Sequence, residues 1–269
     1  MVNRDDILLE LGLLPEWRLR PRAGLGAVGQ RAGTPVAPAA LPPVAARAPT
    51  SPGTGTGTEA SRPATDPGPR LARIAALEWP AFAADVEACT ACGLCRTRKR
   101  SVPGVGGLSA DWLFVGEAPG SEEDATGEPF VGQAGRLLDN MLAALGLARG
   151  AGVHIANVVK CRPPGNRTPE PLEIEACRPY LDRQIALIRP RLIVALGKVA
   201  ATTLLRVDAT IASLRGRVHR CQGLPLVVTY HPAYLLRSLP DKSKAWEDLV
   251  LARRTMVQVG SEARSTLPE

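Results

Sequence analysis

The sequence has no apolar run of roughly 18 residues and no GxxxxGK[S/T] motif. The first absence excludes a typical membrane-spanning helix, and the second argues against a nucleotide-binding P-loop. The amino terminus carries Asp5, Asp6 and Glu10 where a secretory signal would need positive charge, and it lacks a clean apolar segment. We therefore expect a cytoplasmic protein.

Charge and cysteine content are moderate. The net charge is +7, and Lys and Arg exceed Asp and Glu by 25 − 20 = 5 beyond Arg70. This balance suits a polyanionic partner such as nucleic acid, although an Arg-rich sequence from a GC-rich genome explains it equally well. In a reducing compartment, six cysteines indicate metal binding or catalysis rather than disulfides.

Proline and glycine divide the chain into parts. Between Pro21 and Arg70 the sequence is rich in proline and glycine, with 10 of the 25 prolines and 8 of the 26 glycines, and no apolar period persists there. Such a stretch buries too little surface to offset its ordering entropy. We therefore predict a short amphipathic partner-binding peptide (1–20), a disordered Pro/Ala/Gly linker (21–70), one folded domain (71–259) and a flexible tail (260–269).

The predicted domain alternates strands and helices. Thr168 and Pro169 are typical of a helix start, with the helix continuing to about Ile188. The other segments predicted from apolar periodicity are strands at 112–116, 153–159, 192–196, 213–221 and 225–230, and helices at 133–147, 197–205 and 245–257. Continuous apolar strands followed by helices predict an α/β fold with a parallel sheet covered on both faces. Ligands of such sheets bind at the carboxyl ends of the strands.

Five cysteines form a candidate metal site. Cys89, Cys92 and Cys95 lie in CTACGLC, and Cys161 and Cys177 follow later in the chain. Four converging thiolates suit either zinc or a [4Fe–4S] cluster, and spacing does not separate the two. Free buried cysteines are the alternative, but three within seven residues are unusual as packing. Cys221 is predicted to be a small core residue.

Three strings follow predicted strands. The first, GEAPGSEEDATGEPFVGQAG, runs from Gly116 and offers close backbone approach, an aromatic ring and carboxylates. The second begins at Asn157, whose amide can both donate to and accept from a base edge. The third, HPAYLLR, begins at His231. Taken singly, Asn157 is typical of a turn and His231 of a structural histidine.

Together, the strings and cysteines resemble the family 4 uracil-DNA glycosylases, the iron–sulfur branch of their superfamily, over about residues 86–257. This resemblance implies a three-layer α/β/α fold with a central, mainly parallel, four-stranded sheet. It also implies hydrolysis of the N-glycosidic bond of deoxyuridine in DNA, which initiates base excision repair. The implied cofactor is a 4Fe-4S cluster on Cys89, Cys92, Cys161 and Cys177, with Cys95 a bystander.

The resemblance also implies roles in the site. Phe130 stacks on a flipped uracil, Asn157 pairs with uracil O4 and N3–H, and His231 hydrogen-bonds O2 as the base departs. The other implied roles are exclusion of the thymine methyl by Glu123, a pocket floor of Gly116, Glu117 and Ala118, and a DNA wedge at Leu235. Reversed partners on cytosine would discriminate against it.

The sequence departs from the best-known branch of the superfamily at Ala118, where that branch has Asp. Either Glu117 substitutes, or backbone groups hold the attacking water while DNA phosphates stabilise the sugar cation. No lysine motif suggests a Schiff base, and residues 162–171 contain no histidine of the kind carried by the covalent-trapping relatives. We therefore expect a monofunctional enzyme that turns over.

Partners and location complete the expectations. LGLLPEWRLRP is similar to the amino-terminal peptide of the psi subunit of the bacterial polymerase III clamp loader, which predicts clamp-loader components as partners of residues 7–20. We expect a monomer that acts on single- or double-stranded uracil-containing DNA, in bacterial cytoplasm and associated with the nucleoid. A non-catalytic DNA- or replisome-binding module on the same scaffold is the alternative function.

Overall fold

The computed structural model describes residues 67–150 and 152–265, with side chains described for 68–150 and 152–260. The predicted partner-binding peptide and most of the predicted linker lie outside the described residues. Within the described part of the chain, no helix is both long and apolar enough to cross a membrane.

A mixed sheet forms the centre of the fold. Its strands are β1 (Val105–Gly106), β2 (Trp112–Gly116), β3 (Val153–Asn157), β4 (Leu192–Leu196), β5 (Val218–Cys221) and β6 (Leu224–Thr229). Their spatial order is β1-β3-β2-β4-β6-β5. The neighbouring pairs β3–β2, β2–β4 and β4–β6 are parallel, whereas β1 and β5 join the edges in antiparallel orientation. The predicted α/β fold is confirmed.

Helices precede, connect and follow the strands. They are α1 (Pro67–Ala75), α2 (Trp79–Ala88), α3 (Ser121–Thr126), α4 (Gln133–Ala144), α5 (Pro171–Ile188), α6 (Lys198–Leu205), α7 (Ile211–Leu214), α8 (Pro232–Leu235) and α9 (Lys242–Ser265). Short 3-10 turns lie at Gly93–Arg96, Pro164–Asn166 and Leu239–Asp241.

The strands bury both faces because their residues alternate between two apolar clusters. Leu113, Val115, Ile193 and Ala195 pack on one face with residues of α5 and α6. Trp112, Phe114, Leu192 and Val194 pack on the other with residues of α4 and α9. Successive side chains of a strand point to opposite faces, so each central strand reads as a continuous apolar run. The result is the predicted three-layer arrangement.

The strand count corrects the expectation of a four-stranded sheet. Four strands are parallel as predicted, but two antiparallel edge strands bring the sheet to six within the described part of the chain. Strand β1 has only two residues, and β5 is exposed along most of its length. Neither therefore carries the apolar run by which buried strands are recognised in a sequence.

Several predicted boundaries also move. Helix α5 begins at Pro171 with Glu170 as its N-cap and Glu173 completing the capping box, so the predicted start at Thr168 and Pro169 is wrong. The segment predicted as one strand from Ser213 contains the end of α7, and β5 begins only at Val218. For helix α5, the sequence signal of the observed start was Glu173, three residues after the N-cap Glu170.

The ends of the folded domain extend beyond the predicted limits. Helix α1 starts at Pro67, inside the predicted linker. Arg70 donates a 2.8 Å hydrogen bond to the Ala176 carbonyl and lies 5.4 Å from the ring centroid of Tyr180. At the other end, α9 continues to Ser265, so residues 260–265 are helical rather than part of a tail.

Candidate functional site

The three strings meet at the carboxyl ends of the parallel strands. Gly116 ends β2 directly opposite Asn157 at the end of β3, and His231 follows two residues after β6. A cleft of about 520 Å³ opens there. Of the predicted site residues, the structure places Glu117, Ala118, Glu123, Phe130, Asn157 and His231 in its lining. Tertiary structure therefore unites residues more than a hundred positions apart in the chain.

Gly116 lies against two residues of this site. A Cβ atom there would lie 2.4 Å from Asn157 Oδ1 and 2.5 Å from Phe130 Cζ. Real Cβ atoms essentially never make contacts this short, so any side chain would displace both residues. The missing side chain lets the Phe130 ring and the Asn157 amide approach the same point.

Asn157 presents an unpartnered polar atom. The residue is only 1% exposed, and its Oδ1 is buried without a hydrogen-bond partner among the residues that the structure describes. Behind it, the Lys160 Nζ donates 2.7 Å to the Asn157 carbonyl and also binds Gln184 Oε1. Gln184 Nε2 in turn donates 2.6 Å to the Pro103 carbonyl. The backbone of Asn157 is thus fixed by a hydrogen bond, while its side-chain amide oxygen is an acceptor that a ligand could satisfy.

His231 is a neutral hydrogen-bond donor in this setting. Its Nδ1 accepts the Ala233 backbone N–H at 3.2 Å, so the proton of the neutral ring resides on Nε2. Burial, reinforced by the charge of Arg237, lowers the pKa of His231 from 6.5 to about 4. The ring lies 5.5 Å from that of Phe130, inclined at 29°. At neutral pH, His231 therefore offers Nε2–H without a positive charge.

Glu117 and Ala118 lie in the cleft wall. Burial raises the pKa of the Glu117 carboxyl above its ordinary value of 4.5, although a hydrogen bond with Thr168 acts in the opposite direction. Ala118 offers no polar side-chain atom. Glu117 is consequently the carboxylate that the cleft provides next to the position where the best-known branch has Asp.

The Glu123 carboxylate accepts hydrogen bonds from three backbone N–H groups. One carboxylate oxygen accepts the Gly120 N–H at 3.0 Å, and the other accepts the N–H groups of Val131 and Gly132 at 2.9 and 3.2 Å. The side chain thus ties the first turn of α3 to the loop that carries Phe130. Exclusion of the thymine methyl by Glu123 stays a prediction.

The predicted wedge at Leu235 is wrong. Leu235 is 1% exposed and packs in an apolar cluster with Met141, Tyr230 and Leu249. A side chain in the core cannot enter a duplex without unfolding its surroundings. The next residue, Leu236, is 39% exposed and is the leucine of this string that DNA can reach.

The cysteines gather around a second, smaller cavity. All six cysteines of the chain carry free thiols, and the cavity is lined by Cys89, Cys92, Cys95, Cys161 and Cys177. Burial raises the pKa of Cys161 to about 11 and that of Cys177 to about 12. Cys221 is buried in the main apolar cluster, as predicted.

Polar groups surround the sulfur atoms. The Arg98 guanidinium donates 2.9 Å to Cys161 Sγ, the Lys160 backbone N–H donates 3.3 Å to Cys177 Sγ, and Arg70 lies 3.7 Å from Cys89 Sγ. Among the described residues, no three His, Cys, Asp or Glu side chains converge tightly enough to hold a single metal ion. Cysteine side chains from three separate segments of the chain thus line one cavity.

Comparison with known proteins now decides the family. Residues 103–250 match the model of the uracil DNA glycosylase superfamily. The chain is 47% identical to the type-4 uracil-DNA glycosylase of Thermotoga maritima over 181 residues, which are 65% of this chain and 93% of that protein. It is 46% identical to the Archaeoglobus fulgidus type-4 uracil-DNA glycosylase over 160 residues, 56% of this chain and 80% of that protein. The chain belongs to the type-4 uracil-DNA glycosylases.

A type-5 uracil-DNA glycosylase from Pyrobaculum aerophilum is less similar, with 36% identity over 152 residues, 51% of this chain and 67% of that protein. The type-4 assignment agrees with the resemblance that the strand-end strings indicated. The evidence for the individual site residues is the geometry of the cleft.

For this type-4 uracil-DNA glycosylase, the sequence reading missed part of the cleft wall. The additional lining residues include Asn166, Arg167, Thr168, Tyr234 and Arg237. Arg167 is held by Glu173, with two hydrogen bonds of 2.8 and 2.7 Å. These residues lie within or next to the second and third strings, and only the folded loops show that they face the cleft.

Proposed function

We propose that the protein removes uracil from DNA by hydrolysing the N-glycosidic bond of deoxyuridine, leaving an abasic site. The observation that carries this proposal is the buried, unpartnered Asn157 Oδ1 in a cleft that also contains Phe130 and His231. An orphaned acceptor of this kind costs free energy unless a ligand supplies the missing donor. Uracil N3–H is such a donor.

Base selection follows from the same amide. Uracil N3–H would donate to Asn157 Oδ1, while O4 would accept from the amide nitrogen. Cytosine has an unprotonated N3 and an amino group at the same positions. Its N3 would face Asn157 Oδ1, so that two acceptors meet, and its amino group would face the amide nitrogen, so that two donors meet. Buried mispairing of this kind discriminates by several orders of magnitude. The base reaches the cleft only after leaving the duplex stack, and Phe130 provides the surface on which it stacks.

His231 is placed to stabilise the leaving group. As the bond to the sugar breaks, negative charge develops on the uracil, and the neutral Nε2–H would donate to O2. Because Nδ1 is held by Ala233 N–H, the donor needs no reorientation during the reaction. A preorganised donor of this type is typically worth about 3–4 kcal/mol of transition-state stabilisation.

Glu117 is the candidate for orienting the attacking water. Its raised pKa brings the carboxylate closer in basicity to what a general base at neutral pH requires. Of the residues that line the cleft, none is a lysine. The nearby Lys160 is fully buried behind Asn157 with its Nζ already engaged, so it cannot attack the sugar. We therefore infer hydrolysis without a Schiff base and without abasic-site lyase activity.

DNA contacts are assigned to the rim of the cleft. Arg167 and Arg237 line it and carry the positive charge that phosphates attract. We assign the duplex wedge to Leu236, since its exposed side chain follows the buried Leu235 directly. A wedge offsets part of the free energy of unstacking the flipped nucleotide.

The cysteine cavity supports a [4Fe–4S] cluster held by Cys89, Cys92, Cys161 and Cys177. Such a cluster binds each cysteine through a different iron, whereas zinc gathers its ligands around one ion. The cysteine cavity provides the thiols that either centre would need, and the resemblance to the type-4 enzymes favours the cluster. Bound there, the cluster supplies a structural crosslink, and the nearby Arg98 and Lys160 supply positive charge beside the thiolates.

Excision of uracil from synthetic oligonucleotides tests the proposal. We expect the wild type to make a uracil-containing strand alkali-labile, with uracil placed opposite G, opposite A or unpaired. Asn157→Ala should lose at least about a hundredfold in excision while binding abasic DNA as the wild type does. A wild type that leaves the oligonucleotide alkali-resistant would favour the alternative, a DNA- or replisome-binding module.

Clamp-loader components remain the proposed partners of residues 7–20, which lie outside the described residues. The supporting observation is the LGLLPEWRLRP string alone. A tethered docking peptide would raise the local concentration of the enzyme at replication sites. Binding of the isolated peptide to a purified clamp-loader complex tests this, with Trp17→Ala as the weakened variant.

A further inference from the structure

The loop that carries Phe130 has an unusual backbone conformation. Phe130 has a φ of 58°, in the left-handed region that residues with side chains seldom adopt. The residue is nonetheless buried, with its ring in the cleft. A strained residue persists only when the surrounding structure holds it, so neighbouring groups must fix this conformation.

Two side chains hold the loop through its backbone. On one side, Glu123 accepts the N–H groups of Val131 and Gly132. On the other, the Arg149 guanidinium donates 2.9 Å to the Pro129 carbonyl and also binds the Phe130 carbonyl. Phe130 is thus enclosed between a carboxylate that takes the following N–H groups and a cation that takes the carbonyls.

Arg149 is itself held in place. Its Nε binds Asp139 Oδ1 at 2.5 Å, and Asp139 belongs to α4, the helix that follows the Phe130 loop. The start of α4 also packs closely against the loop, since a Cβ at Gly135 would lie 1.7 Å from the Phe130 carbonyl oxygen. Arg149 comes from the connection between α4 and β3, outside all three strand-end strings and outside the lining of the cleft.

We propose that Arg149 is a positioning residue that fixes the Phe130 ring for stacking on the flipped uracil, with Asp139 orienting its guanidinium. This inference rests on the proposed function, because it names how that site is kept in shape. The planar guanidinium suits the task, as its fixed fork of donors can bind two successive carbonyl groups at once. An ammonium group offers no such fork.

The test separates base stacking from general loss of structure. Binding is measured to two oligonucleotides, one with 2′-fluoro-2′-deoxyuridine, which resists cleavage, and one with a tetrahydrofuran abasic site. Arg149→Met should weaken binding of the uracil-bearing strand by about tenfold or more, since displacing a positioned group by about 1 Å can cost a hundredfold. Binding of the abasic strand should change less than about twofold. Arg149→Lys should recover only part of the loss.

Matched variants keep the result interpretable. Arg253→Met removes the same charge from an exposed position that does not line the cleft, and it should leave both affinities unchanged. Asp139→Asn retains Arg149 but weakens its anchor, so it should give a smaller loss of the same kind even if Arg149→Met unfolds.

A double-variant cycle decides whether Arg149 acts through Phe130. With Phe130→Leu in place, adding Arg149→Met should cost less than about twofold more, because the ring it positions is gone. Losses that multiply independently, or an equal loss on abasic DNA, would overturn the inference. If the wild type neither excises uracil nor prefers the uracil-bearing strand, the proposed function fails instead.

Discussion

Gly116 and Asn157 lie side by side at the ends of two parallel strands, and the absence of a side chain at Gly116 leaves room for the Asn157 amide and the Phe130 ring that line the cleft. The pocket therefore depends on an absent side chain as much as on the side chains present. Glycine here is required by close approach, not by backbone conformation, since Gly116 does not have a positive φ.

Gly116→Ala should close the base pocket. Its methyl group would have to displace the Asn157 amide or the Phe130 ring, because both lie within 2.5 Å of its position. We expect excision to fall by about a hundredfold or more, with binding of abasic DNA nearly unchanged. Gly93→Ala is the control, since a Cβ there meets nothing within 4 Å. Excision by Gly116→Ala at the wild-type rate would contradict this placement of the base.

Glu117 should set the acidic limb of the pH–rate profile. As a base, the carboxylate acts when ionised, so kcat/KM should decline as the pH falls through a pKa raised above 4.5 by burial. The pKa of His231 is lowered by burial, whereas that of Glu117 is raised by burial, so the two groups are shifted in opposite directions. Glu117→Gln should lower kcat by about a hundredfold and flatten the limb.

The measurement is the pH dependence of kcat under saturating substrate and of kcat/KM under subsaturating substrate. Glu128→Gln, an exposed residue that does not line the cleft, should keep the wild-type profile. An unchanged acidic limb in Glu117→Gln would show that another group titrates there. Backbone groups would then be the candidates for orienting the attacking water.

At the scale of elements, the end of the short helix α8 places two adjacent leucines in different environments. Leu235 closes an apolar cluster formed with α4, α9 and Tyr230, whereas Leu236 is exposed just beyond the helix. His231 caps the same helix through Nδ1, so one turn of helix fixes both the proton position on the imidazole and the direction of the two side chains.

Leu235→Ala and Leu236→Ala should therefore have opposite phenotypes. Leu235→Ala should lower the free energy of unfolding by about 2–5 kcal/mol through the cavity it leaves. Leu236→Ala should change stability by less than about 0.5 kcal/mol, yet reduce excision from double-stranded substrate by about tenfold, with little effect on single strands. Thermal unfolding and excision on both substrates check this pair. Equal effects of Leu236→Ala on both substrates would remove it as the wedge.

For the whole molecule, the cysteine cavity joins segments that are distant in the chain. Cys89 and Cys92 lie just after α2, Cys161 follows β3, and Cys177 lies within α5. Lys160 connects this region to the cleft, since its Nζ binds the Asn157 carbonyl while its backbone N–H binds Cys177 Sγ. A crosslink at the cysteines would therefore also brace the strand end that carries Asn157.

Loss of a cluster ligand should affect iron content and stability together. Cys177→Ala should abolish the absorbance near about 400 nm expected of an oxidised [4Fe–4S] protein, remove bound iron and lower the melting temperature. Cys95→Ser is the matched control, because Cys95 lines the same cavity but is not among the four proposed ligands. Iron loss in Cys95→Ser, or a colourless zinc-loaded wild type purified without oxygen, would contradict the assignment.

The sequence by itself determined the central strands, the α/β class and the family. Strands β2 and β4 were predicted to the residue because buried parallel strands are apolar on both faces, a signal that survives without tertiary information. Gly116, Asn157 and His231 could be placed at strand ends for the same reason. Strand β1 was not predicted because its two residues carry no apolar pattern, and only the second half of the strand predicted at 213–221 is β5.

Only the tertiary structure decided which way individual side chains face. It placed Leu235 in the core and Leu236 at the surface, and it brought Thr168 to Glu117 rather than to a helix start. It also revealed the contacts of Arg149 with the Phe130 loop and of Lys160 with Asn157. Local sequence encodes periodicity and residue type, whereas burial, hydrogen-bond partners and shifted pKa values depend on segments that meet only when the chain folds.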